Sequence, residues 1–290
     1  MTTASGLVIV DKPSGLTSHD VVARIRRLAG TRRVGHAGTL DPMATGVLVI
    51  GVGKATRLLG HLALTDKEYL ATIRLGQATD TGDAEGTVVS AAPAGELTLA
   101  QVRTAAAALT GEIQQVPPAV SAIKVGGRRA YQLAREGAAP VLAARPVTVH
   151  EFTVSDPRPA GGLLDVTAAV RCSSGTYVRA LARDLGESLG VGGHLTMLRR
   201  TRVGPYRLSA ARGLDELAAG FSVIPLAEAA AAAFPVRPLT GAEAQALSHG
   251  ASLDATGTAG PVAALAPDGS LVALLEDRDG RARPLAVFVP

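Results

Sequence analysis

The sequence is short of several residue types, and each shortage excludes a class of protein. Cys172 is the only cysteine among 290 residues, so the chain forms no internal disulfide and has no cysteine cluster for zinc. No apolar run approaches the roughly 20 residues that cross a bilayer. The first residues also lack the basic and apolar segments of a secretory signal. We therefore expect a globular protein of the cytoplasm.

Acidic residues are scarce in two parts of the chain, although the overall charge is only +4. Residues 1–58 hold eight Lys or Arg against three acids, and residues 171–207 hold seven Arg against two acids. Residues 230–290 show the opposite balance, with four Arg against six acids. Because phosphates attract clustered Lys and Arg, the first two parts indicate a nucleic-acid partner.

One stretch organises the rest of the chain, and it reads GHAGTLDPMATG from Gly35 to Gly46. A loop rich in glycine can hold a side chain in a fixed pose, since glycine adopts backbone angles that other residues avoid. Asp41 lies at its centre and is our candidate for the chemistry. The alternative is an ordinary turn in which Asp41 only accepts hydrogen bonds from nearby amides.

Two further motifs suggest ligands but fail in detail. The segment Gly51–Thr56 is similar to a phosphate-binding loop, yet Leu48 stands at the first glycine position and Ala55 at the magnesium-binding position. The acidic segment Asp80–Gly86 lacks the spaced ligands and closing glutamate of a calcium loop. We interpret it as a solvated turn.

The local pattern predicts a mixture of helices and strands. A strand at Leu7–Val10 precedes a helix that Ser18 can cap and that Gly30 ends. Further strands are predicted at 68–75, 147–154 and 163–171, with helices beginning at Thr98 and spanning 180–189. Beyond a boundary between residues 232 and 233, short strands at 262–265, 271–275 and 285–289 predict a small β-rich domain.

Four segments taken together resemble the TruB family of bacterial tRNA pseudouridine synthases. They are residues 11–18 (DKPSGLTS), the Asp41 loop, residues 117–135, and residues 175–179 (GTYVR) with 184–186 (DLG). Their order and spacing match the family across about residues 6–207. The combination is far more specific than any one segment.

The resemblance implies an α+β pseudouridine synthase fold, with a curved mixed or antiparallel sheet flanked by helices. Residues 1–232 would form the catalytic domain and residues 233–290 a PUA-like domain. The implied reaction converts the uridine at position 55 in the T loop of tRNA to pseudouridine, by base flipping and without cofactor or metal. The implied partner is the tRNA T stem-loop, with no membrane and no obligate protein partner, and we expect a monomer.

The resemblance also assigns roles to particular residues. Asp41 would be the essential carboxylate, Tyr69 the aromatic residue beside the target base, and Arg179 the partner of Asp41. His36 would lie against the RNA near the flipped nucleotide. The remaining implied substrate-binding residues are Lys12, Gly38, Thr39, Lys124, Arg128, Tyr131, Tyr177 and Leu198.

Three questions stay open at this stage. A carboxylate at Asp41 could attack C1′ of the sugar, add to C6 of the base, or abstract a proton from C2′. A non-catalytic RNA-folding protein on the same scaffold is the main rival function, whereas a glycoside-cleaving enzyme lacks a convincing second carboxylate. The acidic balance of residues 230–290 leaves the RNA-binding role of this segment undecided.

Overall fold

The computed structural model describes residues 5–118, 142–289 and the two short strands Lys124–Val125 and Arg128–Arg129. Helices and strands alternate without a repeating βαβ order, so the chain is of the α+β class. Among the described residues, no helix is both long and apolar enough to cross a membrane.

The helices of the described residues are α1 Ser18–Ala29, α2 Leu59–Ala63, α3 Leu99–Ala108, α4 Val178–Ser188, α5 Leu214–Ala219, α6 Leu226–Ala233 and α7 Gly241–Ser248. Two 3-10 helices span Gly53–Arg57 and Leu208–Ala210. The strands are β1 Gly6–Lys12, β2 Val34–His36, β3 Thr45–Val52, β4 Lys67–Leu75, β5 Gln77–Thr79, β6 Val88–Ala91, β7 Gly111–Gln115, β8 Lys124–Val125, β9 Arg128–Arg129, β10 Arg145–Ala160, β11 Leu163–Cys172, β12 Gly193–Val203, β13 Tyr206–Arg207, β14 Ile224–Pro225, β15 Val236–Pro238, β16 Leu253–Asp254, β17 Val262–Leu265, β18 Leu271–Arg278 and β19 Arg281–Val287.

The described residues divide into two compact units. The first lies within Met1–Pro42, Gly46–Ala63 and Val203–Pro290, and the second within Met43–Thr45 and Leu64–Arg202. One division therefore falls within the Asp41 loop, between Pro42 and Met43. The first unit contains both N-terminal and C-terminal segments of the chain.

Strand β1 is the centre of the first unit. It pairs antiparallel with β3 along its whole length and with β14 at its start, and β2 pairs antiparallel with β3. The apolar run predicted as a strand at Leu7–Val10 is completely buried. Helix α1 follows, which confirms the predicted helix, and it is amphipathic because Val21, Val22 and Ile25 are buried on one face.

The predicted cap of α1 is wrong by one residue. Thr17, not Ser18, accepts the hydrogen bond from the Asp20 amide, and Asp20 completes a capping box by accepting from the Thr17 amide. Ser18 is the first residue of the helix and is buried. Its hydroxyl instead serves the Asp41 loop, as described below.

The C-terminal segment of the first unit forms a five-stranded sheet in the order β15-β17-β18-β19-β16. The predicted strands near 262–265 and 271–275 are present. Its side chains share a hydrophobic core with the N-terminal strands, because Leu274 and Phe288 belong to the same buried cluster as Leu7 and Leu58. The domain boundary between residues 232 and 233 stays a prediction.

The second unit contains strands in the order β12-β4-β11-β10-β7, and the pairs β4-β11, β11-β10 and β10-β7 are antiparallel. Burial alternates along β4, so that Tyr69, Ala71 and Ile73 share the inner face. Helices α3 and α4 belong to this unit as well. A capping box of Thr98 and Gln101 starts α3, as the sequence predicts for Thr98.

Candidate active site

The loop that carries Asp41 connects β2 to β3, and Asp41 itself belongs to the first unit. These strands pair antiparallel, with His36 opposite Ile50, and the Ala37 amide donates to the Val49 carbonyl. Gly38 has φ of 91°, a left-handed conformation that a residue with a Cβ adopts at a cost. The side chain of Asp41 is half-buried and lies outside any strand or helix.

The residues on both sides of Asp41 are fixed by other parts of the chain. The amide of Leu40 donates to the Ser18 hydroxyl at 2.9 Å, and the same hydroxyl donates to the Leu40 carbonyl at 3.2 Å. The Pro42 carbonyl accepts from the Gly15 amide at 2.9 Å and from the Lys12 ammonium at 3.1 Å. Asp41 is therefore held by its neighbours, as a catalytic carboxylate must be.

A substrate-binding role suggests that Lys12 faces solvent, but the structure does not place it there. Its side chain is completely buried, and its ammonium also donates to the carbonyls of Pro13 at 2.9 Å and Leu16 at 2.7 Å. A buried ammonium needs such partners, since transfer of a charge out of water is costly. The structure thus gives Lys12 a role in holding two loops together, and its contact with substrate stays a prediction.

His36 ends β2 and packs edge-on against His19 of α1, with ring centroids 5.5 Å apart and an interplanar angle of 86°. Thr39 is exposed, and Gly38 is partly exposed. Gly38 and Thr39 therefore lie in the loop that carries Asp41, and His36 lies in the strand that leads into it.

Tyr69 lies in β4 of the second unit, opposite Val170 of β11, and only 7% of it is exposed. Lys67 shares its face of the strand and donates to the Thr65 carbonyl at 2.8 Å. Burial, together with the nearby Arg200 guanidinium, lowers the pKa of Lys67 to about 8. The sequence gives no sign that Arg200 is buried.

Arg179 is the second residue of α4, and 5% of its surface is exposed. Its guanidinium donates to the Thr81 carbonyl at 2.8 Å, and its Nε lies 3.6 Å from a carboxylate oxygen of Asp83. These partners explain how a buried cation is tolerated in the first turn of a helix, where the helix dipole disfavours it. The pairing of Arg179 with Asp41 stays a prediction.

Asp83 is the functional candidate that sequence reasoning missed. It belongs to the acidic segment interpreted as a solvated turn, but only 4% of its surface is exposed. The Thr81 hydroxyl and the Glu85 amide donate to its Oδ1 at 2.6 and 3.1 Å. The solvated-turn interpretation is therefore wrong for Asp83, whereas the neighbouring Asp80 is exposed.

The remaining predicted residues are spread over other elements. Tyr177 caps α4, where its amide donates to the Gln115 side chain at 2.8 Å, and Leu198 is a buried residue of β12. Lys124 and Arg128 lie in the paired short strands β8 and β9. Tyr131 lies outside the described residues.

Family models match nearly the whole chain. The TruB family pseudouridylate synthase N-terminal domain matches residues 26–178. The tRNA pseudouridylate synthase B C-terminal domain matches residues 179–225, and the tRNA pseudouridine synthase II C-terminal domain matches residues 234–289.

Full-length relatives agree with these matches. The chain is 64% identical to tRNA pseudouridine synthase B of Thermobifida fusca, over 98% of this chain and 99% of the relative. It is 61% identical to the protein of the same name from an Arthrobacter species, over 99% and 97%.

Solved structures show the same fold. A Cbf5-Nop10-Gar1 complex contains a chain with a TM-score of 0.76 and 28% identity, covering 98% of this chain and 85% of the other. An H/ACA ribonucleoprotein bound to a substrate RNA containing 2′-deoxyuridine contains one with a TM-score of 0.73, 26% identity and the same coverage. The predicted fold class is confirmed. The chain belongs to the TruB family of pseudouridine synthases.

Proposed function

We propose that the protein isomerises the uridine at position 55 in the T loop of tRNA to pseudouridine. Membership of the TruB family and relatives named tRNA pseudouridine synthase B support this substrate. The observation that carries the proposal is the loop around Asp41, in which the backbone on both sides of one carboxylate is fixed by buried side chains. An ordinary turn does not require such support.

The reaction exchanges one bond for another within a single nucleotide. The bond between N1 and C1′ breaks, a bond between C5 and C1′ forms, C5 loses a proton and N1 gains one. Atoms and electrons balance, so the protein needs groups that stabilise charge and move protons. Asp41 supplies the essential carboxylate, and its three possible targets are C1′, C6 and the proton on C2′.

In this proposal Arg179 pairs with Asp41 and orients its carboxylate, because a hydrogen bond between charged groups fixes their relative geometry. Asp83 and the Thr81 carbonyl support this role by fixing the guanidinium in its own unit. Tyr69 offers an aromatic face and a hydroxyl to the target base.

The target base must leave the stacked T loop before it can react. Unstacking costs a few kcal/mol, which stacking and phosphate contacts must offset. His36, Gly38 and Thr39 provide contacts beside Asp41, and Tyr177 and Leu198 provide contacts in the second unit. Lys12, Lys124, Arg128 and Tyr131 complete the proposed binding set, with Lys12 acting from β1 through the Pro42 carbonyl that its ammonium holds. We expect the protein to act as a monomer in the cytoplasm.

Release of tritium from tRNA that carries 5-tritiated uridine tests this function, because release requires a new bond at C5. A matched transcript with cytidine at position 55 serves as the control. We expect stoichiometric release of the tritium at position 55, and none from this position in the control. Equal release from both transcripts would show that position 55 is not the site of modification. No release despite tight tRNA binding would favour the RNA-folding function.

A further inference from the structure

Ser18 makes two hydrogen bonds with one residue that lies 22 positions away in the chain. Its hydroxyl accepts from the Leu40 amide at 2.9 Å and donates to the Leu40 carbonyl at 3.2 Å. Ser18 is 1% exposed and Leu40 is 4% exposed, so water does not compete for these bonds. Leu40 belongs to no strand, and a single side chain therefore serves both of its backbone polar groups.

The helix that contains Ser18 does not require this hydroxyl. Thr17 caps α1 and forms the capping box with Asp20. A serine at the first position of a helix usually faces solvent or caps its own amides. Here it is directed to the residue before Asp41 instead.

The peptide plane between Leu40 and Asp41 contains the Leu40 carbonyl. Because this plane is rigid, a hydrogen bond to the carbonyl sets the orientation of the backbone that enters Asp41. On the other side, Pro42 restricts the conformation of the residue before it, and its carbonyl is held by Gly15 and Lys12. Only the side-chain torsions of Asp41 are then left to adjust.

We propose that Ser18 is a positioning residue for Asp41: it fixes the peptide on the N-terminal side of the carboxylate and so aims that carboxylate at the target nucleotide. This inference rests on the proposed function, in which Asp41 is the catalytic group. It adds a residue of α1 to the parts of the chain that set the rate of isomerisation.

Removal of the hydroxyl leaves the amide and carbonyl of Leu40 buried without this partner, and the peptide can rotate. A misplacement of the carboxylate by about 1 Å lowers the rate roughly 100-fold, so we expect a loss of about 10- to 100-fold. The affinity for tRNA should stay within about threefold, because Ser18 is buried and offers no surface to RNA.

The experiment compares Ser18→Ala, Ser18→Cys and the control Thr17→Ala with the wild type and Asp41→Asn. Single-turnover tritium release gives the rate, filter binding gives the affinity for tRNA, and thermal unfolding gives the stability. Ser18→Cys fills the space of the hydroxyl with a weaker hydrogen-bonding group, so it keeps the test valid if Ser18→Ala does not fold. Thr17→Ala weakens the same helix but leaves the bonds to Leu40 in place.

We expect both Ser18 variants to lose rate at unchanged affinity, while Thr17→Ala loses stability and keeps its rate within about threefold. A folded Ser18 variant with the rate of the wild type would overturn the inference. An equal loss of rate in Thr17→Ala would also overturn it, since the effect would then come from the helix. If Asp41→Asn remained active, the catalytic role of Asp41 on which this inference rests would fail, whereas the absence of release by the wild type would contradict the proposed function itself.

Discussion

Among single residues, Asp83 offers a direct test of how the guanidinium of Arg179 is held. Asp83→Asn removes the charge that lies 3.6 Å from Arg179 but keeps the size of the side chain. We expect the rate of pseudouridine formation to fall about 10- to 100-fold, because a misaimed catalytic partner typically costs this much. Single-turnover tritium release at saturating tRNA measures the rate.

Asp165→Asn is the matched control, because Asp165 forms a comparable pair with Arg74 at 2.7 Å in the same unit. It removes one carboxylate charge from the sheet and is expected to leave the rate within about twofold. Equal rates for the wild type and Asp83→Asn would show that Arg179 does not depend on Asp83.

The lowered pKa of Lys67 predicts how the stability of the protein depends on pH. Burial lowers its pKa from 10.5 to about 8, so between these values the unfolded chain binds more protons than the folded one. The free energy of unfolding contributed by Lys67 must then rise with pH across this window, and the cost of burying the charge is present in full below pH 8. Relative to Lys67→Met, the wild type should gain up to about 3 kcal/mol from neutral pH to the top of the window. Denaturant unfolding at several pH values measures the difference, and a constant difference would contradict the prediction.

Asp41 and Asp83 show what the sequence reveals about single residues and what it does not. Asp41 is recognisable because glycine, histidine and proline surround it in a motif. Asp83 sits in an acidic, glycine-containing turn that resembles a solvated one, yet it is buried and lies 3.6 Å from Arg179, which is far away in the chain. A contact of this kind leaves no local pattern.

At the scale of elements, the packing of α4 against the start of β12 depends on glycine. A Cβ added to Gly186 would overlap the backbone of Gly192 and Gly193, and backbone atoms cannot move aside as a side chain can. We expect Gly186→Ala to destabilise the protein by about 1–3 kcal/mol or more. Thermal or denaturant unfolding measures the loss.

Gly60→Ala provides the control for this substitution. Gly60 lies in α2 with open space around its added Cβ, and alanine favours helix over glycine by about 1 kcal/mol. This variant should be as stable as the wild type or more stable. A Gly186→Ala protein of unchanged stability would show that α4 and β12 can separate slightly without cost.

Elements with a clear periodicity were predictable, and a charged strand was not. The alternation of β4 and the apolar face of α1 give their positions to within one or two residues. Strand β12 was not predicted, because its arginines suggest an exposed segment. In the structure Arg200 is 1% exposed, so tertiary contacts override the polar pattern.

For the whole molecule, the feature that the sequence does not reveal is how the C-terminal segment packs. It forms the expected β-rich sheet, but Phe288 and Leu274 pack into the core that also contains Leu7 and Ile9. Helix α6 ends next to the predicted boundary, and its Ala229 and Ala230 are part of this core. Composition shows a change in charge balance near residue 230. It does not show that the C-terminal strands pack into the same core as the N-terminal strands.

Phe288→Ala tests this shared core. Phe288 is 2% exposed, and removing a buried phenylalanine costs about 3–5 kcal/mol. Because the core is shared, amide hydrogen exchange should rise in β1 as well as in the C-terminal strands. Val236→Ala, at a position 43% exposed in the same sheet, should change stability by no more than about 0.5 kcal/mol. Faster exchange confined to residues 236–287 would indicate a C-terminal domain that unfolds independently.

The most direct test of the account is the fate of tritium in tRNA carrying 5-tritiated uridine when Asp41 becomes asparagine. Asp41→Asn keeps the size of the side chain but removes the ionised carboxylate. We expect rapid release by the wild type and no detectable release by Asp41→Asn, with tRNA affinity within a few-fold of the wild type, because the change affects chemistry and not a phosphate contact. Release at a rate near that of the wild type would show that the carboxylate of Asp41 is not the group that isomerises uridine.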